Sequence, residues 1–210
     1  MRIAMFGATG RVGRLVLAEA LARGHSVTAL VRAPSALGAH VGLQVVIGDV
    51  TDPEAVASAI GGADVVVDTL GPRRNSADQV ALFETAIGNI VAGMERQGVR
   101  RLIALSGAGI DAPGDRKPLF DRIATRMVRL FSPHVRGAKQ REFDVFSSAD
   151  IDWTAVRPPL VHDGPRTGRV HADPTTLKAG ARIGRSDLAA FIIDQVGDPT
   201  YIKMAPFIWS

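Results

Sequence analysis

Short apolar runs alternate along the chain with segments in which apolar residues recur at helical spacing. The runs predict buried strands and the helical spacing predicts helices. The predicted strands cover residues 2–6, 26–31, 43–47, 64–68, 101–105 and 153–156, with a short final strand over 201–204. The predicted helices cover residues 11–23, 53–60, a long stretch from Ser76 or Asp78 to near Gly98, and then 119–131, 136–148 and 186–196.

Strands that alternate with helices indicate right-handed βαβ units and a parallel sheet with helices on both faces. We therefore predict a single α/β domain over residues 1–210, with a Rossmann-like doubly wound sheet. Residues 160–184 break the alternation, because this segment is polar and basic and carries glycine and proline. Loops at the carboxyl ends of parallel strands build the ligand sites of such folds, so we interpret this segment as a small C-terminal substrate loop.

A glycine-rich turn joins the first predicted strand to the first predicted helix, with the sequence Gly7-Ala8-Thr9-Gly10-Arg11-Val12-Gly13. In this setting Gly7 permits the tight turn, Gly10 lets the backbone approach a pyrophosphate, and Gly13 lets the helix pack closely on the strand. The helix N-terminus then faces the phosphates. The strand–turn–helix context predicts a dinucleotide site in which Thr9, Arg11 and Val12 take part.

The end of the second predicted strand distinguishes between the two nicotinamide dinucleotides. NAD binders carry Asp or Glu there to hold the ribose 2′-hydroxyl, whereas this strand ends Ala29-Leu30-Val31-Arg32. A carboxylate would repel a 2′-phosphate, while the Arg32 guanidinium can bind it bidentately. The sequence favours NADP(H) over NAD(H), although Arg32 can also be a solvated arginine at a strand end.

With the glycine turn and Arg32, the later string Asp152-Trp153-Thr154-Ala155-Val156-Arg157-Pro158-Pro159 completes a recognisable pattern. The chain resembles the atypical short-chain dehydrogenase/reductase superfamily in its NmrA-like, NAD(P)H-binding branch. Within that branch it is similar to the flavin reductase (biliverdin reductase B) group, above all in residues 158–168. The resemblance covers nearly the whole chain.

The resemblance implies positions for the remaining cofactor residues. Asp49 and Val50 are expected to border the adenine, although Asp49 can equally be a turn or helix-capping residue ahead of Pro53. Residues Leu70, Gly71 and Arg73 are expected to line the cofactor after the fourth strand. Ser106 or Gly107 is expected near the nicotinamide, with Pro158 and Pro159 covering its other side.

The chain departs from the superfamily at the proton donor. Most relatives carry Tyr-x-x-x-Lys, and Lys139 stands at the lysine position, but Val135 occupies the tyrosine position and the sole tyrosine is Tyr201. Ser106 and Lys139 are the candidate catalytic residues, with Ser106 expected to position the nicotinamide or the substrate. His134 and His162 are alternative proton donors, because histidine titrates near neutral pH. A flavin or quinone acceptor needs no dedicated donor.

The amino-acid composition limits which ligands and which cellular setting are expected for this protein. The chain has no cysteine, which excludes disulfides and fits a reducing cytoplasm. Its net charge of +4 favours anionic ligands, yet a single tyrosine argues against a nucleic-acid stacking surface. No metal site is predicted from the five histidines, and no apolar stretch reaches membrane-spanning length. The basic face of the predicted 119–131 helix, with Arg122, Arg126 and Arg129, indicates a covering helix or a lid over an anionic substrate.

These observations predict an NADPH-dependent oxidoreductase that transfers hydride to a flavin, a quinone or a similar conjugated acceptor. One alternative is a non-catalytic NADP(H)-binding redox sensor of the NmrA type, which the missing tyrosine favours. A further alternative, a reductase or epimerase of a carbonyl metabolite, is disfavoured because carbonyl reduction needs a proton donor. We expect a small-molecule acceptor as partner, and a monomer or a small homo-oligomer.

Overall fold

The computed structural model describes residues 1–33, 37–116 and 133–210. The helix predicted over residues 119–131 lies outside the described residues. The described strands are β1 Arg2–Phe6, β2 Ser26–Val31, β3 Leu43–Ile47, β4 Val65–Asp68, β5 Arg101–Leu105, β6 Asp152–Val156, β7 Val161–His162, β8 His171–Asp173, β9 Ile183–Gly184 and β10 Phe207–Trp209. The described helices are α1 Arg11–Ala22, α2 Pro53–Ile60, α3 Ala77–Gln97, α4 Pro133–Ser148 and α5 Arg185–Asp194.

The first six strands form one parallel sheet in the order β3-β2-β1-β4-β5-β6. The strand order reverses beside β1, which pairs with β2 on one side and β4 on the other. Ligands of doubly wound sheets bind outside the carboxyl ends of the strands at such a reversal. The structure therefore confirms the predicted Rossmann-like α/β fold and locates the edge at which a site is expected.

Two hydrophobic cores cover the two faces of the sheet. On one face α1 and α5 pack through residues such as Val16 and Ile192, and on the other α2, α3 and α4 pack through Ile60, Ile90 and Phe146. β4 contributes three consecutive valines that are fully buried. A strand enclosed on both faces carries a continuous apolar run instead of an alternating one, which explains why the valine run predicts β4 well.

Local signals fix several helix ends. α2 begins at Asp52, whose carboxylate accepts a hydrogen bond from the Glu54 N–H at 3.0 Å, with Pro53 in the first helical position. α3 ends at Gly98, which adopts the left-handed φ of 68° that glycine tolerates best. α4 is described from Pro133 onward, so it already includes the three residues before its predicted start at residue 136.

The predicted strand over residues 201–204 is wrong. Lys203 has a φ of 56°, a left-handed conformation that interrupts an extended chain, and Met204 makes only an isolated bridge to Thr154. The last strand is β10 instead, and it pairs antiparallel with β8. Three short strands, β7, β8 and β9, lie in the segment predicted as a substrate loop.

A buried arginine anchors the loop that follows β5 to the end of the chain. Arg157, directly after β6, is fully buried and makes two hydrogen bonds to the Asp115 carboxylate, at 2.8 and 2.7 Å. Its Nε donates to the Ala205 carbonyl at 2.6 Å, and its guanidinium lies 3.7 Å from the centre of the Phe207 ring. The charge is thereby paired and hydrogen-bonded, as a buried ion must be.

None of the described helices is long and apolar enough to span a membrane.

We expect Asp115→Ala to lower the free energy of unfolding by about 3–5 kcal/mol, because it leaves the Arg157 charge buried without its partner. Urea denaturation followed by circular dichroism measures this loss. Asp150→Ala is the matched control, since Asp150 pairs with Arg100 while 83% of its side chain is exposed, and it should change little. Equal effects of the two substitutions would show that the buried pair does not stabilise the fold.

Candidate functional site

A cleft of about 450 Å³ opens at the carboxyl ends of β1, β2, β3 and β4. Eight of the residues predicted to bind the cofactor line it together: Gly7, Thr9, Arg32, Asp49, Val50, Leu70, Gly71 and Arg73. These residues come from the segments that follow four different strands, and only the parallel sheet brings them to one place. The cleft therefore lies where the fold predicts a ligand.

The three glycines of the turn differ in how much room a side chain would have. Gly7 has a φ of +80°, and a Cβ there would lie 2.6 Å from the carbonyl carbon of Thr69. A Cβ at Gly13 would lie only 2.1 Å from the Gly7 oxygen, so α1 can approach β1 this closely only with glycine. A Cβ at Gly10 would meet nothing closer than the Gly7 oxygen at 3.3 Å. Packing thus explains Gly7 and Gly13, whereas the space beside Gly10 is open to a ligand.

The N-terminus of α1 offers an anion site beside this open space. Gly10 is the N-cap and supplies no side chain to the first-turn N–H groups, which carry the positive end of the helix dipole. Thr9 lines the cleft, Arg11 is exposed at the first helical position, and Val12 packs partly against the core. This arrangement fits a pyrophosphate, since backbone donors and positive charge meet there without a protein group in the way.

Arg32 and Asp49 face each other across the far part of the cleft. The Asp49 carboxylate accepts hydrogen bonds from the Thr51 backbone and hydroxyl, at 3.0 and 2.8 Å. These bonds, with a smaller contribution from the Arg32 charge, hold the pKa of Asp49 below its usual value. Asp49 is therefore a turn residue ahead of α2, as one of the two sequence interpretations had it, and its contact with adenine stays a prediction.

The sequence analysis did not predict that α3 would also line the cleft. Five residues from the start of this helix and the loop before it also line the cleft: Arg74, Asp78, Gln79, Leu82 and Phe83. Gln79 is buried, and its side-chain oxygen accepts a hydrogen bond from the Arg73 N–H at 3.1 Å, which fixes the loop after β4. The predicted helix start was the available signal, because a helix that follows β4 must begin at the carboxyl edge of the sheet.

Ser106 and Pro158 lie on the neighbouring part of the same edge. The Ser106 N–H donates to the Val156 carbonyl at 2.9 Å, and the Ala108 N–H donates to the Pro158 carbonyl at 3.1 Å, so the loops after β5 and β6 are joined. The Ser106 hydroxyl is buried and has no hydrogen-bond partner among the described residues. A buried hydroxyl without a partner is costly, and a polar ligand group such as a carboxamide would satisfy it.

Lys139 lies behind the cleft rather than in it. Its ammonium donates to the Leu70 carbonyl at 2.6 Å, to the Leu105 carbonyl at 2.8 Å and to the Glu142 carboxylate at 2.8 Å. Four residues earlier, Val135 lies in the first turn of α4 and has no proton to donate. The structure therefore places Lys139 between the ends of β4 and β5, and its catalytic role stays a prediction.

Tyr201, His134 and His162, the candidate proton donors, are not among the described residues that line the cleft. The Tyr201 carbonyl accepts from the Thr154 hydroxyl at 2.8 Å, and its ring packs 6.1 Å from that of Phe191. Burial raises the pKa of the Tyr201 phenol, and nearby acidic residues raise it further, which makes it a weaker acid. His134 and His162 do not line the cleft among the residues that the structure describes.

The segment 160–184 is held against α1 and α5. The Asp187 carboxylate accepts from the N–H groups of Thr167 and Gly168, both at 3.0 Å. Arg166 bonds to Glu19 of α1 at 3.1 Å, and Asp163 forms an ion pair with Arg185. No described residue of this segment lines the cleft, so its role as a substrate loop stays a prediction.

The sequence profile of the NAD(P)H-binding family matches residues 7–199. The chain belongs to this family. The match confirms the resemblance on which the cofactor positions were assigned, and it makes a nicotinamide dinucleotide the class of ligand for the family. The matched region begins at Gly7, the first glycine of the turn.

Two proteins that are similar to this chain carry reductase names. The 3-diazoavenalumate denitrifying reductase of a Streptomyces species is 33% identical over 192 residues, which cover 85% of this chain and 62% of that protein. The chain thus spans less than two thirds of that relative. The solved structure of ChuY, an anaerobilin reductase from Escherichia coli O157:H7, superimposes with a TM-score of 0.79 at 25% identity, covering 100% of this chain and 97% of ChuY. A Burkholderia pseudomallei protein superimposes with a TM-score of 0.78 at 31% identity over the whole of both chains.

We expect Gly10→Val to abolish dinucleotide binding while the protein stays folded. Gly10 has φ −71° and ψ 168°, which valine adopts freely, but its side chain would occupy the open space beside the turn. Calorimetric titration with NADPH and NADH, together with thermal denaturation, measures both properties.

Gly13→Ala provides the contrasting variant, because its Cβ has no room against the Gly7 oxygen. It should lower stability by at least about 1–3 kcal/mol, the usual cost of overpacking. A folded Gly10→Val protein that binds the dinucleotide normally would contradict this placement of the pyrophosphate.

Proposed function

We propose that this protein is an NADPH-dependent oxidoreductase that reduces a flavin, a quinone or a similar conjugated acceptor. The observation that carries the proposal is the cleft that the glycine turn and Arg32 both line. It is supported by Val135, which stands where most members of the superfamily carry the proton-donating tyrosine. The reductase names of the Streptomyces and Escherichia coli relatives support the same class of reaction.

The preference for NADPH follows from the charges at the far part of the cleft. Arg32 directly follows β2, at the position where NAD binders carry a carboxylate for the ribose 2′-hydroxyl. Arg73 and Arg74 line the cleft on the opposite side. Asp49, which also lines the cleft and whose pKa the Arg32 charge helps to lower, already accepts two hydrogen bonds from Thr51, so its charge is partly offset. This environment favours an added phosphate.

The chain's own residues bind and orient, while the bound reduced nicotinamide supplies a hydride. The turn around Gly10 and the α1 N-terminus would hold the pyrophosphate, and Leu70 and Gly71 would support the middle of the cofactor. Ser106 and Pro158 would fix the nicotinamide end, and the Ser106 hydroxyl, which has no hydrogen-bond partner among the described residues, would bind its carboxamide. Orientation of this kind is the main contribution of a protein whose cofactor carries the chemistry.

The proposed class of acceptor follows from the residue at the tyrosine position, which cannot donate a proton. Reduction of a carbonyl needs a proton delivered to its oxygen, which a tyrosine normally provides. Val135 stands at the tyrosine position, and Tyr201 packs against Phe191 with a raised pKa. A flavin or quinone ring tolerates this arrangement, because water can protonate its reduced form. A non-catalytic redox sensor is the alternative that the same valine favours.

We expect Arg32→Ala to weaken NADPH binding by about 1.5–3 kcal/mol and to leave NADH binding nearly unchanged, because only NADPH carries the phosphate that this charge would bind. That difference corresponds to roughly a 10- to 150-fold change in Kd. Fluorescence titration of both cofactors measures it. Arg141→Ala, on the exposed face of α4, is the control and should have no effect. Equal affinities of the wild type for NADPH and NADH would exclude the assigned role of Arg32.

We expect Tyr201→Phe, His134→Ala and His162→Ala to reduce flavin-dependent NADPH oxidation by no more than a few-fold. Removal of an acid that acts in the transition state would instead cost about 10²–10⁴-fold. Single-turnover oxidation of NADPH with one flavin acceptor compares the three variants. A thousand-fold loss in any of them, with NADPH affinity intact, would refute the donor-free mechanism. Tight NADPH binding without oxidation by any flavin or quinone would instead establish the sensor.

A further inference from the structure

The three hydrogens of the Lys139 ammonium are all engaged by the protein. They point to the Leu70 carbonyl, the Leu105 carbonyl and the Glu142 carboxylate, at 2.6, 2.8 and 2.8 Å. A lysine has three donors and no acceptor, so none is left for a ribose hydroxyl or for a neighbouring phenol. Only 12% of its side chain is exposed.

These contacts connect Lys139 to the wall of the cleft. Both backbone polar groups of Leu70 are hydrogen-bonded. Its N–H donates to the Asp68 carboxylate at 2.8 Å, and its carbonyl accepts from Lys139. The Lys139 ammonium also lies 5.2 Å from the centre of the Phe83 ring. Leu70 and Phe83 both line the cleft. On the other side, the Leu105 carbonyl belongs to the peptide that leads into Ser106.

Two carboxyl groups accompany this lysine in the interior. Asp68 and Glu142 are both almost fully buried, and they lie close enough that each affects the pKa of the other. The Asp68 Oδ1 accepts from the Leu70 N–H, but its Oδ2 has no hydrogen-bond partner among the described residues. A buried carboxylate oxygen without a donor is costly, and a proton held between the two carboxyl groups would satisfy it. Burial raises the pKa of Glu142 well above its usual value, and burial also raises that of Asp68. One proton on the pair leaves one negative charge to balance Lys139.

We propose that Asp68, Lys139 and Glu142 form a neutral buried clamp, in which the two carboxyl groups share one proton and the lysine positions the ends of β4 and β5 around the cofactor. Lys139 is then a positioning residue and not the activator of a proton donor. The effect on the cofactor rests on the proposed function, whereas the shared proton and the fixed loops do not depend on it.

The first experiment replaces Lys139 by Met and follows the two loops directly. We expect amide hydrogen exchange at Gly71 and Ser106 to accelerate at least tenfold, while exchange at Ala4 in the centre of β1 stays slow, because only the loops lose their donor. NADPH Kd should rise at least tenfold, and the shape of the pH–rate profile should stay that of the wild type. Lys178→Met, an exposed lysine outside the clamp, is the control.

An unchanged NADPH Kd, with a loss confined to kcat and an altered pH–rate profile, would overturn the positioning role and indicate direct participation in proton transfer. Unchanged exchange at Gly71 and Ser106 would also overturn it. If the wild type binds no NADPH, the proposed function fails, but the exchange measurement still decides whether the clamp fixes the loops.

The second experiment tests the shared proton through the pH dependence of stability. Among the described residues, the charged groups that face Glu142 are Lys139 on its own helix and Asp68 on β4. A carboxyl protonated in the native state ionises in the unfolded chain above about pH 4.3, so the native state then holds one more proton. The folding equilibrium constant should therefore fall by up to about tenfold per pH unit above pH 5, until the native pKa is passed.

Glu142→Gln and Asp68→Asn each keep one negative charge beside Lys139, and each should remove this pH dependence while the protein stays folded. The double variant leaves the ammonium without a carboxylate and should destabilise the fold by more than the two single changes together. Glu95→Gln, an exposed residue of α3, should keep the wild-type pH dependence. The same pH dependence in wild type and Glu142→Gln would refute the shared proton.

Discussion

The close approach of α1 to the end of β1 is the constraint on which the site depends. The backbone of Gly13 lies so near the Gly7 oxygen that an added Cβ would be 2.1 Å from it, and Gly7 itself lies against the Thr69 backbone. Because neither contact leaves room for a side chain, α1 can approach β1 this closely only with glycine at both positions. The N-terminus of α1 then follows directly after Gly7 and Thr9, which line the cleft, and its N–H groups would bind the pyrophosphate of the proposed cofactor.

Three successive residues at the end of β4, Asp68, Thr69 and Leu70, each make a different contact. Asp68 belongs to the buried group with Lys139, while the Thr69 hydroxyl donates to the Phe6 carbonyl at 2.9 Å and ties β4 to β1. Leu70 is the first of them to reach the cleft. The end of β1 and the contacts of Lys139 are therefore joined through a single short stretch of backbone. Through this stretch the proposed clamp would connect α4 to the geometry of the cleft.

The parts of this architecture that sequence predicts are those encoded locally. The apolar runs define β1, β2 and β4 to β6 because most residues of these strands are buried, and the glycine spacing defines the turn because its steric demands fall within seven consecutive residues. The partners of Lys139 could not be read in this way, since Leu70 is 69 residues away in the chain. Arg157 and Asp115, 42 residues apart, are a second example. The final strand was misplaced because nothing in the sequence marks the left-handed backbone of Lys203.

The anchor around Arg157 has a consequence for the order in which the molecule is completed. The guanidinium needs the Ala205 carbonyl and the Phe207 ring, which belong to the last six residues of the sequence. During synthesis β1 to β6 can assemble while this arginine still lacks half of its surroundings. The loop that carries Asp115 can therefore be fixed in place only after residues 205–207 have been synthesised and have docked beside β6. Segments that are distant in the sequence thus have to meet before the charge of Arg157 is fully shielded from water.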